Sequence, residues 1–417
     1  MLSDNTLKSF LTFGYDIFAD VPNIELQQTF CKFCLKNSLE RNHLDLRREL
    51  VTEGANIIKS SLIKELSKLK PPVVIPISGG ADSRILLGAA LSVFNIDEIY
   101  TLTFGTRGTL DYEIGNLVAR TVGTQHHALD LAEINYSPED LIITAKVAAL
   151  PVNLIRHWTL KALSEFPDDA TWLIGFMGGE LAGSHLPKKS EEIDLKCASS
   201  FINKESLSYG ISTSWLKEYD VQFIINQGKY SKLSNLQESM DFQIRQLKFV
   251  YPMLTLGLNK YKFPFLQESI TGFLLNLDVK YRKKQNLYFE IANQIFPELF
   301  NLPQKHLYGG NSSSSIAEIG LRRVYNFSSR KLGINDYAEN FVDYKDLYKY
   351  NKSFKETLDY LNQEHALSYR LNELVSATPQ LENEVSKVIQ SKEINDKILL
   401  GSLCSYILSQ SNERFNV

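Results

Sequence analysis

Cysteine is scarce in this chain. Only four occur among 417 residues, at Cys31, Cys34, Cys197 and Cys404. That is too few for a disulfide scaffold and suits a reducing compartment. Surplus charge is lacking too: Lys plus Arg total 45 and Asp plus Glu total 48, for a net charge of −3. Proteins that grip phosphate backbones carry a basic excess, so nucleic acid is not the expected partner, although a local basic patch stays compatible. No run long enough to span a bilayer is free of charges, and the opening MLSDNTLKSF carries Asp4 with no apolar core of a signal peptide. These features predict a cytoplasmic chain with no membrane partner. Repeats of solenoid period and long low-complexity tracts are missing as well. What remains is an ordinary globular mixture, 44% hydrophobic, 22% charged and 11% aromatic. At this length it can build one large α/β unit or two moderate domains.

Hydrophobic patterning divides the chain. Leu46 to Ser67 has apolar residues at helical spacing through Ile57, Ile58, Leu62 and Leu66, and Pro71-Pro72 closes it. Val73 to Ile77 is a short β-rich run bounded by Gly79-Gly80 and reads as a buried strand. Further strands are predicted at Ile99 to Phe104, His127 to Leu131 and Thr171 to Ile174. Helices are predicted between them at Ile85 to Phe94, Tyr112 to Val122, Pro138 to Ala149 and Arg156 to Ser164. This alternation predicts an α/β fold, a parallel sheet with helices on both faces. From about residue 200 the strand signals fade, and Ser234 to Leu258, Glu268 to Leu277, Leu287 to Phe296 and most of 337–415 read as helices. The expected division is a helical lead-in over 1–60, a core over 61–200 and a largely helical half over 201–417. Gly309-Gly310-Asn311 with its four following serines reads as the most flexible stretch.

The chemistry concentrates in Ser78-Gly79-Gly80-Ala81-Asp82-Ser83, between the first strand and the helix expected from residue 84. A glycine-rich turn from strand to helix presents backbone N–H groups and a helix dipole, which suits phosphate or pyrophosphate. The Ser78 and Ser83 hydroxyls can donate to phosphate oxygens. Asp82 would repel phosphate unless a divalent cation sits between them, and magnesium fits that arrangement. The turn lacks the Gly-Lys-Ser/Thr ending of a Walker A loop and the spacing of a dinucleotide fingerprint. A plainer reading is a helix N-cap made by Asp82 or Ser83.

The motif SGGADS resembles the PP-loop of the ATP pyrophosphatase superfamily, whose members cleave ATP to AMP and pyrophosphate. Further stretches resemble the synthetase domain of asparagine synthetases. These are Gly123-Thr124-Gln125-His126-His127, the second glycine-rich loop Gly175 to Gly183 (GFMGGELAG), Phe263-Pro264-Phe265-Leu266-Gln267 and Leu302-Pro303-Gln304-Lys305. Leu11 to Tyr15 looks like the lead-in to that domain. The order agrees over roughly residues 60 to 310. The resemblance implies an ATP- and Mg2+-dependent ligase. A carboxylate would attack the α-phosphate, and an amine would then displace AMP from the acyl-adenylate. By resemblance, Ser78, Gly79, Gly80, Asp82 and Ser83 hold pyrophosphate and magnesium. The second strand, with Thr103, flanks adenine and ribose, and the loop carrying Gly175 and Glu180 faces the reaction centre.

The chain departs from that pattern in three places. The family's glutaminase domain opens on a nucleophilic cysteine, whereas residue 2 here is Leu and few residues precede the turn. Glutamine hydrolysis is therefore not expected. The nucleophile would be free ammonia, ammonia or an amine supplied by a partner, or an amine on a small-molecule or peptide substrate, as in β-lactam synthetases and lasso-peptide cyclases. The family's second metal-binding Asp aligns with Gly179, which leaves Glu180 to hold metal with Asp82 or to act as a base. The family's catalytic Lys aligns with Gln285, which leaves Lys283 and Lys284 to compensate. These departures also allow a catalytically degenerate ATP-binding or scaffolding protein of the same fold. Transfer-RNA modification, a third reading, is disfavoured by the neutral charge and by the lack of cysteines placed for sulfur transfer.

Other candidates read as structural. Cys31-x-x-Cys34 has no second pair at metal spacing. His126-His127 suits strand packing with a hydrogen bond, and Arg156-His157-Trp158 suits helix packing as well as substrate contact. Lys280, Arg282, Lys283 and Lys284 form a basic run that suits either solvent or phosphate. Tyr344 to Lys352 carries no chemical signal.

Overall fold

The computed structural model describes residues 4–21, 23–32, 43–148, 157–187, 192–208, 213–230, 233, 235–332, 344–362 and 386–410. Five strands form one sheet: β1 (Val73–Pro76), β2 (Ile99–Gly105), β3 (Gln125–Asp130), β4 (Thr171–Leu173) and β5 (Tyr261–Lys262). Their order is β3-β2-β1-β4-β5. Every pairing is parallel, with Val73 opposite both Ile99 and Thr171. Val73, Val74 and Ile75 are completely buried, as expected for a central parallel strand covered on both faces. Burial of each such side chain stabilises the fold by about 1.5–3 kcal/mol.

The strands occur where the sequence pattern places them, within two residues at each end for the first four. The fifth is new. It lies in the half expected to be helical, so the sheet and the C-terminal half share an edge. A two-residue strand offers no run for a pattern to register.

Helix Ala81–Leu91 connects β1 to β2, and helix Leu110–Val122 connects β2 to β3. Helices Pro138–Ala148 and His157–Leu163 lead back to β4. Right-handed crossovers place the first two on one face of the sheet and the returning pair on the other. Helices Lys352–Leu361 and Ile394–Ser409 pack on Pro138–Ala148, while His43–Leu66 packs against Ala81–Leu91 and Asn286–Ile295. The main apolar core runs from Leu7 to Leu408 and so draws on all three expected segments. A second cluster joins Phe13, Tyr15 and Ile17 to Cys197, Phe201 and Ile224. No described helix is long and apolar enough to cross a membrane.

The serine-rich stretch is held rather than loose. Gln304 N–H donates to the Gly310 carbonyl at 2.7 Å, and Asn311 N–H donates to Ser314 Oγ at 3.2 Å. Cys34 and Arg156, and the side chains of Cys31, His157 and Trp158, lie outside the described residues.

Candidate functional site

The strand order reverses between β1 and β4. The chain leaves β1 toward β2 on one side and leaves β4 toward β5 on the other, so a crevice opens at their carboxyl ends. Ligands of open α/β sheets bind at such a switch point. Both glycine-rich stretches start there: Ser78–Ser83 follows β1 and Gly175–Gly183 follows β4.

The first loop closes on itself. Ser78 N–H donates to Ser83 Oγ at 3.2 Å, and Gly80 N–H donates to Ser78 Oγ at 3.2 Å. The helix begins at Ala81, earlier than expected, with Gly80 as its N-cap and no side chain capping it. Asp82 therefore stands in the first helical turn but leaves its own helix and reaches across the crevice. Its Oδ2 accepts the Gly179 N–H at 2.9 Å and its Oδ1 accepts the Tyr288 hydroxyl at 2.7 Å. This geometry departs from a simple N-cap.

The glycines of the second loop make that contact possible. A Cβ on Gly178 would fall 2.7 Å from Asp82 Cγ, and one on Gly175 would fall 3.1 Å from Asp82 Cβ. Gly178→Ala is therefore expected to push Asp82 aside and cost about 1–3 kcal/mol of stability, the range for overpacking. At Gly179 the added atom would lie 3.2 Å from Asp82 Oδ2. Gly179→Ala should cost distinctly less, and urea denaturation of the two variants compares them.

Burial, then the nearby charge of Glu180, pushes the Asp82 carboxyl up to about 7, against the pull of Tyr288, Gly179 and Lys305. Burial raises Glu180 also, while His185 draws it down. A buried carboxylate whose ionisation a nearby one disfavours makes, with it, a natural seat for a cation. Magnesium takes one or two carboxylates and completes its shell with water and phosphate oxygens. Asp82 and Glu180 fit that donor set. Among the described residues, no cluster of three or more His, Cys, Asp or Glu side chains forms an all-protein metal cage.

A residue outside the expected set supplies the cation on the other side of the first loop. Lys305 N–H donates to the Gly79 carbonyl at 3.2 Å, and its ammonium pairs with Asp111 at 2.8 Å. Arg84, fully buried on helix Ala81–Leu91, fixes the approach of this segment. Its guanidinium donates to the carbonyls of Leu299 at 3.1 Å and Leu302 at 3.4 Å, and to that of Pro303. Burial lowers Arg84 to about 10, which still leaves it charged at neutral pH. The motif Leu302 to Lys305 was a visible signal for Lys305. Tyr288 and Asp111 had none.

The expected lysines stand differently. Lys283 and Lys284 are exposed, in the turn Lys283–Gln285. Gln285 points inward, and its Nε2 donates to the Gly179 carbonyl at 3.2 Å. Gly179 and Gln285 thus meet each other. Arg282 leaves the basic run altogether, because it is buried, pairs with Glu238 at 2.5 Å and donates to the Leu181 carbonyl at 3.0 Å. It anchors the second loop. Thr103 lies beneath the first loop, fully buried, with its hydroxyl donating to the Ile77 carbonyl at 3.0 Å. It supports the turn and offers no exposed surface. His126 sits between Thr101 at 3.0 Å and Asn116 at 2.9 Å, and burial lowers it to about 4, so it is a neutral packing residue, as its strand position implied.

Backbone strain marks the same place. Among the described residues, Met177, Lys284, Gln285 and Tyr308 are the non-glycine residues with left-handed φ, at 68°, 59°, 58° and 54°. Met177 lies in the second glycine loop, and the other three lie in the two segments that contact the loops, through Gln285 to Gly179 and Lys305 to Gly79. Each such residue costs roughly 1–3 kcal/mol, and such outliers concentrate at functional sites. Compared with models of known protein families, the chain matches none.

Proposed function

We propose that this protein is an ATP- and magnesium-dependent ligase of the PP-loop type that joins a carboxylate to an amine through an acyl-adenylate. One observation carries the reading. Two glycine-rich loops meet at the sheet's switch point, joined by Asp82, with the Lys305 backbone N–H bonded to the first loop and its ammonium on Asp111. Residues 61–200 would supply the ATP-cleaving core, with 1–60 and 201–417 packed around it.

In the first half-reaction a carboxylate oxygen attacks the α-phosphorus. The bond to the bridging oxygen of the β-phosphate breaks, and pyrophosphate leaves. Ser78, Gly79, Gly80 and Ser83, at a helix N-terminus, suit that leaving group, and Lys305 adds full positive charge. Asp82 and Glu180 would hold magnesium, which supplies charge neutralisation of the triphosphate when bound. Gly175, small and beside Asp82, leaves room for the nucleotide. In the second half-reaction the amine nitrogen attacks the acyl carbon, the acyl–oxygen bond breaks, and AMP departs. Glu180, raised by burial, is suited to accept the proton that the amine releases. Lys283 and Lys284, exposed in the turn that carries Gln285, suit steering of anionic substrates.

ATP–pyrophosphate exchange, scanned over small and peptide carboxylic acids, tests the reading. Exchange should appear with the true acid and disappear without magnesium. Absence of exchange with every acid, alongside tight ATP binding, would favour the second reading of a catalytically silent ATP-binding scaffold. The Gln285–Gly179 contact supports that alternative, since an amide stands where the family places a lysine.

A further inference from the structure

A cavity of about 580 Å³ opens beside the second glycine loop, where Ser184 and His185 leave it. That is room for a compact organic molecule. One wall is apolar, made by Phe13, Phe201 and Phe249, with the Tyr15 ring stacked on Phe249 at 5.0 Å. The charged lining is mainly basic: Lys204, Arg245 and His185 stand against the single carboxylate of Glu205. Two helices bring rings and charges together. Helix Asp194–Glu205 carries Phe201, Lys204 and Glu205 at spacings of three and four, so they share one face. Residues Asp241–Val250 wind as a π-helix and present Arg245 and Phe249 to the same cavity. Such π-turns are frequent at functional sites.

The acceptors nearby are already engaged. Glu205 is 8% exposed, accepts the Tyr15 hydroxyl at 3.5 Å and meets Arg245 Nε at 3.2 Å. Asp241, which is not part of the lining, accepts from His185 Nδ1 at 2.7 Å and Gln246 Nε2 at 3.0 Å through Oδ2. The donors are in surplus. Among the described residues neither Lys204 nor Arg245 donates a hydrogen bond, and the Lys204 ammonium comes no nearer to a carboxylate than 3.9 Å, at Asp241 Oδ1. Ammonium and guanidinium groups donate only, and their strongest partners are anions. Cationic donors left over beside an aromatic wall are the lining that an organic anion requires, an apolar pocket with a few convergent polar groups. His185 Nε2 stands 3.9 Å from Glu180 Oε1, so the charged end adjoins the loop that faces Asp82.

We propose that this cavity binds the acid partner of the reaction, an apolar and chiefly aromatic body bearing a carboxylate, with the carboxylate on Lys204 and Arg245. That this acid is the one adenylated rests on the ligase reading above, whereas its binding does not. Calorimetry on the full chain without ATP, at neutral pH, tests it with 3-phenylpropionate, phenethylamine, phenethyl alcohol and propionate as probes. The aromatic acid should bind, with the other three weaker by roughly tenfold or more. Lys204→Gln alters a half-exposed side chain that has no hydrogen bond to lose, so the fold should stand while the acid weakens by roughly fivefold or more. Leu207→Trp, which narrows the cavity, should weaken it by roughly tenfold or more, with folding checked by circular dichroism. Should Leu207→Trp fail to fold, Lys204→Gln decides alone. Equal or tighter binding of the amine, the alcohol or propionate overturns the proposal, as does the absence of binding by the aromatic acid, or binding that ignores either folded variant. Acid binding as expected, without pyrophosphate exchange for any acid, would leave the cavity assigned and remove the ligase. Pyrophosphate exchange with some acid, in a protein that does not bind 3-phenylpropionate, would do the reverse.

Discussion

Asp82→Asn is expected to make the protein more stable at pH 8 and to abolish pyrophosphate exchange. The Asp82 carboxyl titrates at about 7 in the fold, against 3.8 for an ordinary Asp. Between those values the folded protein holds a proton that the unfolded chain has released. Stability therefore falls as pH rises through this window, and above about pH 7 the full cost of a buried anion beside Glu180 is present. With the residual solvent contact of Asp82 allowed for, that cost is roughly 2–4 kcal/mol. Asn removes the charge and keeps the shape. Its oxygen can accept the Gly179 N–H, while its amide can donate to the Tyr288 oxygen. The melting temperature of the variant should exceed that of the parent at pH 8, and the two should converge near pH 4. Added Mg–ATP should stabilise the parent and leave the variant unmoved. A stability difference independent of pH, or surviving exchange, would remove Asp82 from the metal-binding role. The same comparison weighs the rival reading, because a scaffold that holds ATP without turnover has no exchange to lose.

The fold was legible where local pattern carries it. Val73 to Ile77, Ile99 to Phe104 and Thr171 to Ile174 are short apolar runs between glycine and proline signals, and helices intervene, so a parallel sheet follows from chain connectivity alone. The glycines of both loops were legible as well, since close backbone approach demands them. The remainder of the site depends on contacts between residues far apart in sequence. Tyr288 lies 206 residues from Asp82, and nothing near it in sequence announces the contact. Arg84 would ordinarily be read as a surface residue. Its burial is bearable because main-chain carbonyls of one turn surround it, an arrangement that only the folded chain provides. The π-winding at Asp241–Val250 was equally hidden, since its apolar spacing passes for an ordinary helix. Gln285 shows the other limit: by resemblance it stands at the place of a lysine, while the segment bonded to the first loop brings Lys305, 20 residues later in the chain.

Lys305→Ala should lower the rate of pyrophosphate exchange by about 10²–10³, the usual loss when one preorganised donor to a developing charge is removed. The magnitude follows from where the charge appears. Pyrophosphate leaves with added negative charge at the first loop, and the Lys305 backbone is already bonded to Gly79 there. The ammonium needs only to swing from Asp111, 2.8 Å away. Asp111 is thus a positioning residue. It is 6% exposed, its Oδ1 has no hydrogen-bond partner, and its Oδ2 holds the Lys305 ammonium at 2.8 Å. Alanine at 305 leaves that carboxylate buried and unpaired, so a fall in stability accompanies the fall in rate. The double variant Lys305→Met with Asp111→Asn separates the two effects. It should recover the melting temperature while exchange stays as low as in Lys305→Ala. Asp111→Asn alone keeps the ammonium but loosens it, so its loss should be milder and fall mainly on KM for ATP. If Lys305 were merely a structural partner of Asp111, the double variant would regain activity together with stability. A purely catalytic Lys305 would leave the melting temperature of Lys305→Ala unchanged. The geometry calls for neither outcome, because one side chain holds the loop in place and carries the charge its ligand requires.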